Sequence, residues 1–89
     1  MKRKKYNPRL QAIYLEIVEN QLRDNTPPEA RQTLSRLKTM GYSDRDAKLL
    51  IASAIAAETF IILKTQQASN PDRYIGYLRR LPDQSFEEE

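Results

Sequence analysis

The chain has no cysteine, no histidine and no tryptophan among its 89 residues, and only two glycines. Lack of cysteine excludes a disulfide staple, a thiolate zinc site and a thiol nucleophile. Lack of histidine removes the usual general base and the commonest metal ligand. Gly41 and Gly76 stand too far apart to build a Gly-rich phosphate loop. No stretch alternates polar and apolar residues with period two, so no sheet is expected, and no internal repeat is visible. The basic N-terminus is not followed by an apolar run, so no secretory signal is read and the cytoplasm is the expected compartment. Together these absences argue against an enzyme, a cofactor or a metal. Eighty-nine residues make one small domain, which buries about 60–65% of its unfolded surface and has a thin stability margin.

The net charge of +3 is unevenly spread. Lys2, Arg3, Lys4, Lys5 and Arg9 crowd the beginning; Asp83, Glu87, Glu88 and Glu89 crowd the end. Residues 1–6 are expected to form a disordered basic arm and residues 83–89 a disordered acidic tail, leaving a single helical domain over 7–82.

What the chain does have is helical pattern. The longest and most apolar signal runs from Ser43 to Lys64, with five alanines and no Gly or Pro inside it. Ser43 is placed to cap it, and Asp44 and Asp46 put negative charge near the positive end of its dipole. Ala47, Leu50, Ile51, Ala54, Ile61 and Ile62 form one broad apolar stripe, while Leu49, Ala52, Ala56, Phe60 and Leu63 lie on the opposite side. A helix apolar nearly all round is buried nearly all round, and its polar ends and central Glu58 speak against a membrane span. Glu58 falls within the main stripe, where a carboxylate needs a partner. A Tyr hydroxyl, an Arg or backbone amides at a neighbouring helix start would serve. The sharper alternative is a ligand-binding or catalytic carboxylate with a raised pKa.

Around this helix the pattern places three more, giving an all-α, compact four-helix domain with helices over about 8–22, 27–40, 44–64 and 71–81. Asn7-Pro8 starts the first, whose stripe is Leu10, Ile13, Tyr14, Ile17, Val18 and Leu22. Thr26 and Glu29 read as a capping box for the second, with Pro27 at its first position and Ala30, Leu34, Leu37 and Met40 facing inward. Arg31, Gln32, Ser35, Arg36 and Lys38 read as its solvated face. Gly41 can take the left-handed conformation that ends this helix, with Tyr42 packing back on the last turn. Asn70-Pro71 starts the fourth, with Tyr74, Tyr77, Leu78 and Leu81 inward and Arg73, Arg79 and Arg80 flanking, and Pro82 stops it. A helix-turn-helix reading of the Gly41 joint fails because the second helix of that pair is the most apolar element rather than a polar one. Two carboxylates in a first turn, Asp44 and Asp46, are better explained by the dipole than by a metal.

The run PPEARQTLSRLKTMGYSDRDAKLLIASAIAAETFIILK, with DRYIGYLRRLP after it, resembles a family of short bacterial conserved-hypothetical proteins over about residues 7–82. The resemblance implies a bacterial all-helical domain and carries no activity or site residue with it. LKTMGYSDRDAKLLI, residues 37–51, resembles the helix–loop–helix segment of ubiquitin-associated-type domains, whose loop reads Met-Gly-Tyr or Met-Gly-Phe. That likeness implies a partner-binding role for Met40, Gly41 and Tyr42. The departure is that the second helix runs on to Lys64, where those domains break after a short one.

Two functional expectations follow. The first is a structural or protein–protein interaction module: the side of the long helix with Phe60 and Leu63 needs cover, and either helices two and four supply it within one chain or a homodimer is the simplest closure. The alternative is weak nucleic-acid binding through Lys2–Lys5, Arg79 and Arg80, with Tyr74 or Tyr77 stacking on bases.

Overall fold

The computed structural model describes residues 8–86. Four helices, α1 (Pro8–Asp24), α2 (Pro28–Thr39), α3 (Asp44–Thr65) and α4 (Pro71–Arg80), form an all-α domain, and the described residues contain no strand. The long helix α3 packs against each of the other three, and α2 also reaches α1 and α4. Val18 of α1, Leu37 of α2, Ile51 of α3, Leu78 of α4 and Leu81 just after it are the largest fully buried side chains, so every helix contributes to the core. The expected basic arm over 1–6, the Asn7 cap and the last residues 87–89 lie outside the described residues.

The joints follow from backbone chemistry. After α1, Asn25 takes a left-handed φ of 54°, which Asn tolerates better than most residues, and the Thr26 N–H turns back to the Gln21 carbonyl at 3.1 Å. After α2, Gly41 adopts φ 108°, the Tyr42 N–H reaches the Leu37 carbonyl at 3.1 Å and the Gly41 N–H reaches that of Lys38 at 3.0 Å, the double bond of a Schellman end. Ser43 then caps α3, its hydroxyl accepting from the Asp46 N–H at 3.0 Å. Gln66, with φ 57°, ends α3, and Asn70 caps α4 by accepting from the Arg73 N–H at 3.1 Å. Among the described residues no helix is long and apolar enough to cross a membrane.

Four details differ from the sequence reading. Pro27, not Thr26, sits at the cap of α2 and Pro28 takes the first helical position, so no side chain caps this helix and the capping box with Glu29 is not formed. The second proline fits the first turn as well as the first would, and Thr26, held out of the helical region by the proline after it, turns its hydroxyl back to the Asp24 carbonyl at 3.1 Å. Met40 is 53% exposed rather than inward, and Thr33 is buried in α2's inner face. Helix α1 is rolled so that Val18 is at the centre of its buried side, leaving Leu10 and Ile13 exposed. Finally, residues 83–86 are not a disordered tail: the Asp83 N–H returns to the Arg80 carbonyl at 2.8 Å, Gln84 donates to the Ser53 hydroxyl at 2.9 Å, and the Phe86 ring rests 4.9 Å from that of Tyr77.

The supposedly solvated face of α2 does structural work at both its ends. The Arg31 guanidinium donates to the carbonyls of Leu22 and Arg23 at 2.7 and 3.2 Å, at the end of α1. Arg36, five residues on, donates to the carbonyls of Leu81 and Leu78 at 2.7 and 2.9 Å, at the end of α4. Each places a cation where a helix has unsatisfied carbonyls and the negative end of its dipole. Replacing Arg36 by Ala should lower stability by about 1–2 kcal/mol, the worth of charge-assisted hydrogen bonds lost at a partly exposed site. Arg36→Lys should recover only part of it, because an ammonium cannot span two carbonyls as the guanidinium fork does. Urea denaturation of the two variants checks this; an unchanged midpoint for Arg36→Ala would contradict it.

Candidate functional site

Two features concentrate chemistry or unsatisfied surface: the buried Glu58 and the outward side of α3. Glu58 is 7% exposed in the middle of α3. Its carboxylate accepts from Arg73 Nε at 2.6 Å and Arg73 Nη2 at 2.9 Å, a two-pronged guanidinium contact, and from the Asn70 N–H at 3.0 Å. The local sequence arranges this. Asn70-Pro71 begins α4, so that start presents a backbone donor and, one turn in, the Arg73 side chain, both toward α3. Two of the three partner types expected from the sequence are therefore used together, an Arg and an amide at a helix start. Burial by itself raises the Glu58 pKa, but the Arg73 hydrogen bonds, the Asn70 N–H and the Arg73 charge together outweigh it and hold the carboxyl below its ordinary value. The raised pKa expected of a catalytic carboxylate is thus not what this environment produces.

Beside Glu58 lies an open cleft of about 380 Å³, walled by Pro27, Ile55, Ile62 and Ile75, with Tyr74 and Gln21 at its polar side. The Tyr74 hydroxyl donates to Gln21 Oε1 at 2.7 Å, bridging α4 to α1, and burial pushes its pKa up to about 12. Glu58 has three hydrogen bonds already, and Tyr74 keeps its proton at neutral pH. The cleft can admit an apolar group, but neither flanking titratable group is tuned to move a proton there. Among the described residues no three carboxylates gather so as to hold a metal ion. Asp44 instead bridges Lys38 at 3.3 Å and Lys48 at 3.0 Å, and Lys48 continues to Glu19 at 2.8 Å, a surface network across α1, α2 and α3.

The remaining sequence candidates separate. Phe60 and Leu63 are 61% and 72% exposed, next to each other on α3, with the Lys64 ammonium 5.8 Å from the Phe60 ring centre. Of the others on that side, Leu49 and Ala56 are half-buried, while Ala52 is buried. At the α2–α3 corner Met40 and Gly41 are exposed and Tyr42 packs on the core. In α4 Tyr77 is buried against Phe86, and the Arg80 guanidinium lies 5.6 Å from its ring centre. Tyr74 is half-buried and Arg79 exposed. Both tyrosines thus lie on the inward stripe read from the sequence, because α4 is short and needs both rings to cover its core side, and the stacking role of the alternative reading loses its rings. Sequence reasoning missed the carbonyl-binding roles of Arg31 and Arg36 and the packing of Phe86. Phe86, the lone apolar residue after Pro82, was a signal that part of the tail had something to bury.

Arg73→Ala leaves the Glu58 carboxylate buried without its cation and should destabilise by about 2–4 kcal/mol, toward the lower end because the Arg73 side chain is 23% exposed. The double variant Glu58→Met, Arg73→Met should recover most of that loss, since no charge is then stranded. The pH dependence has a definite sign. A carboxyl whose pKa is depressed on folding stabilises fully above its unfolded value, near 4.5, and loses that contribution as pH falls through the folded value. Chemical denaturation below pH 5 should show a shallower loss of stability in the double variant than in the wild type; parallel curves would contradict the assignment. A scan against protein-family models, a search of curated proteins and a search of solved structures each found no match to this chain.

Proposed function

We infer that the protein is an interaction or structural module whose working surface is the outward side of α3. The observation that carries this reading is the exposure of Phe60 and Leu63 on a helix whose other sides are largely covered. Two large apolar groups held on a rigid, well-capped helix form a ready anchor for another protein, of the kind that dominates interfaces. The Glu58–Arg73 contact and the Schellman corner supply the rigidity. The resemblance of the Met40–Tyr42 corner to ubiquitin-associated-type loops adds a weaker second patch, in which Met40 is the exposed residue.

Nucleic-acid binding has less support. Tyr77 is buried and the Tyr74 hydroxyl is held by Gln21, so the last helix offers exposed Arg79 and Arg80 without a free stacking ring.

Phe60→Glu and Leu63→Glu test the interface reading. Each variant should fold with a stability within about 0.5 kcal/mol of the wild type, as for surface sites away from the core. Circular dichroism with urea titration at low concentration measures it. Wholesale unfolding of both variants would assign that side to the monomer core and end the interface reading.

A further inference from the structure

The outward side of α3 is not uniform along its length. Beside Leu49 it holds a shallow trough of about 270 Å³, lined with Tyr42, Asp46, Leu49, Leu50 and Gln84. On one flank Lys48 is tied to Glu19 of α1, and on the other Ser53 accepts a hydrogen bond from Gln84 of the folded tail. Ala52, nearly one turn on, is small, 5% exposed and part of the domain's own core, and Leu49 is half-buried. Around Phe60 to Leu63 the same side protrudes, and these two side chains have little cover. Ala56, small and half-buried, lies between the two halves.

Leu49, Ala56 and Leu63 recur at seven-residue steps, with Ala52 and Phe60 completing a seam of the kind that packs helix against helix. We propose that the occupant of this seam is a second copy of the chain, laid antiparallel about a two-fold axis at Ala56; the proposal rests on the reading of this side as an interface. In that arrangement Ala56 faces Ala56, Phe60 faces the other copy's Ala52, and Leu63 faces its Leu49. Leu63 meets the recess beside Leu49 and Phe60 meets the small side of Ala52, and the match is made twice, as a two-fold interface requires. The alanines at the centre let the two helices approach closely. A parallel pair would set Phe60 against Phe60 and leave both troughs empty.

Charge agrees with the same register. Asp46 and Lys64 are eighteen residues apart, five helical turns, so both lie along one edge of the seam. Along the axis Lys64 stands about 12 Å beyond Ala56 and Asp46 about 15 Å before it, at 1.5 Å per residue. The same edges of an antiparallel pair adjoin, so each Lys64 meets the other copy's Asp46 within side-chain reach. Asp46 also lines the trough beside Leu49, at the level where the other copy's Leu63 arrives. A leucine and a lysine thus enter a recess that offers apolar walls and a carboxylate.

The absence of cysteine makes the test direct. Three single variants of the full chain, Ala56→Cys, Leu49→Cys and Leu63→Cys, are oxidised mildly at micromolar concentration, and wild-type mass is followed by light scattering over a concentration range. The expected result is a wild-type dimer, disulfide dimer from Ala56→Cys alone, none from either leucine variant alone, and a mixed disulfide when Leu49→Cys and Leu63→Cys are combined. Self-linking of Leu63→Cys, or equal linking by all three, overturns the antiparallel register. A wild-type monomer throughout, with no linking, overturns the second copy as occupant. In that event folded Phe60→Glu and Leu63→Glu variants leave the interface reading standing with a different protein as partner, whereas their unfolding removes both.

Discussion

A helix of 22 residues that is apolar on nearly every side demands more cover than three shorter helices readily supply, and the architecture is organised by that shortage. Helix α1 crosses one side, α2 joins through a tight glycine corner, and α4 closes a third. The chain beyond Pro82 is recruited as well, bringing Phe86 against Tyr77 and Gln84 to Ser53. What is left uncovered is the outer end of α3, at Phe60 and Leu63. In a domain this small, burying those two as well would take another element of secondary structure, and Gln84 and Phe86 pack elsewhere, on Ser53 and Tyr77.

Polar side chains settle how the covering helices are oriented. Apolar packing is non-directional, so it brings helices together without fixing their rotation or their ends. Here the ends are fixed by charged groups acting on backbone. Arg31 holds the carbonyls at the end of α1, Arg36 those at the end of α4, and Glu58 takes an amide at the start of α4 while pairing with Arg73. Helix α4, only ten residues long, is thereby gripped at both ends by groups from α2 and α3. A helix that short has little stability of its own and depends on such contacts.

The same arrangement separates the two features of α3 that the sequence singles out, Glu58 and the side with Phe60 and Leu63. The cleft beside Glu58 has apolar walls but flanking groups that are committed to one another, so its chemistry is that of a joint between helices. On the far side of α3 the polar contacts lie at the flanks, Lys48 to Glu19 and Gln84 to Ser53. Its trough and its protruding end are shaped by the cover, not by the helix pattern, since a straight stripe of Leu49, Ala52, Ala56, Phe60 and Leu63 becomes recessed at one end and proud at the other only when α1 and the tail are in place.

The number of helices, their order and most of their boundaries were legible in local signals. Proline after asparagine, serine before an acidic turn, and a single glycine between Met40 and Tyr42 act through bonds within a few residues, and such signals do not depend on the rest of the fold. The two consecutive prolines were ambiguous for the same reason, as either suits a first turn. The anomaly of Glu58 was legible too, because a carboxylate in an apolar stripe demands a partner whatever the topology. Which arginine and which helix start would supply it was not, nor were the roles of Arg31 and Arg36 or the contacts of residues 83–86. Each depends on which groups meet across the chain, Arg36 and Leu81 being 45 residues apart, and periodicity carries no record of that. The sequence by itself thus determined a four-helix chain built around one over-apolar helix; the tertiary structure alone decided which side of that helix stays open, because exposure is a property of what packs alongside and not of the helix.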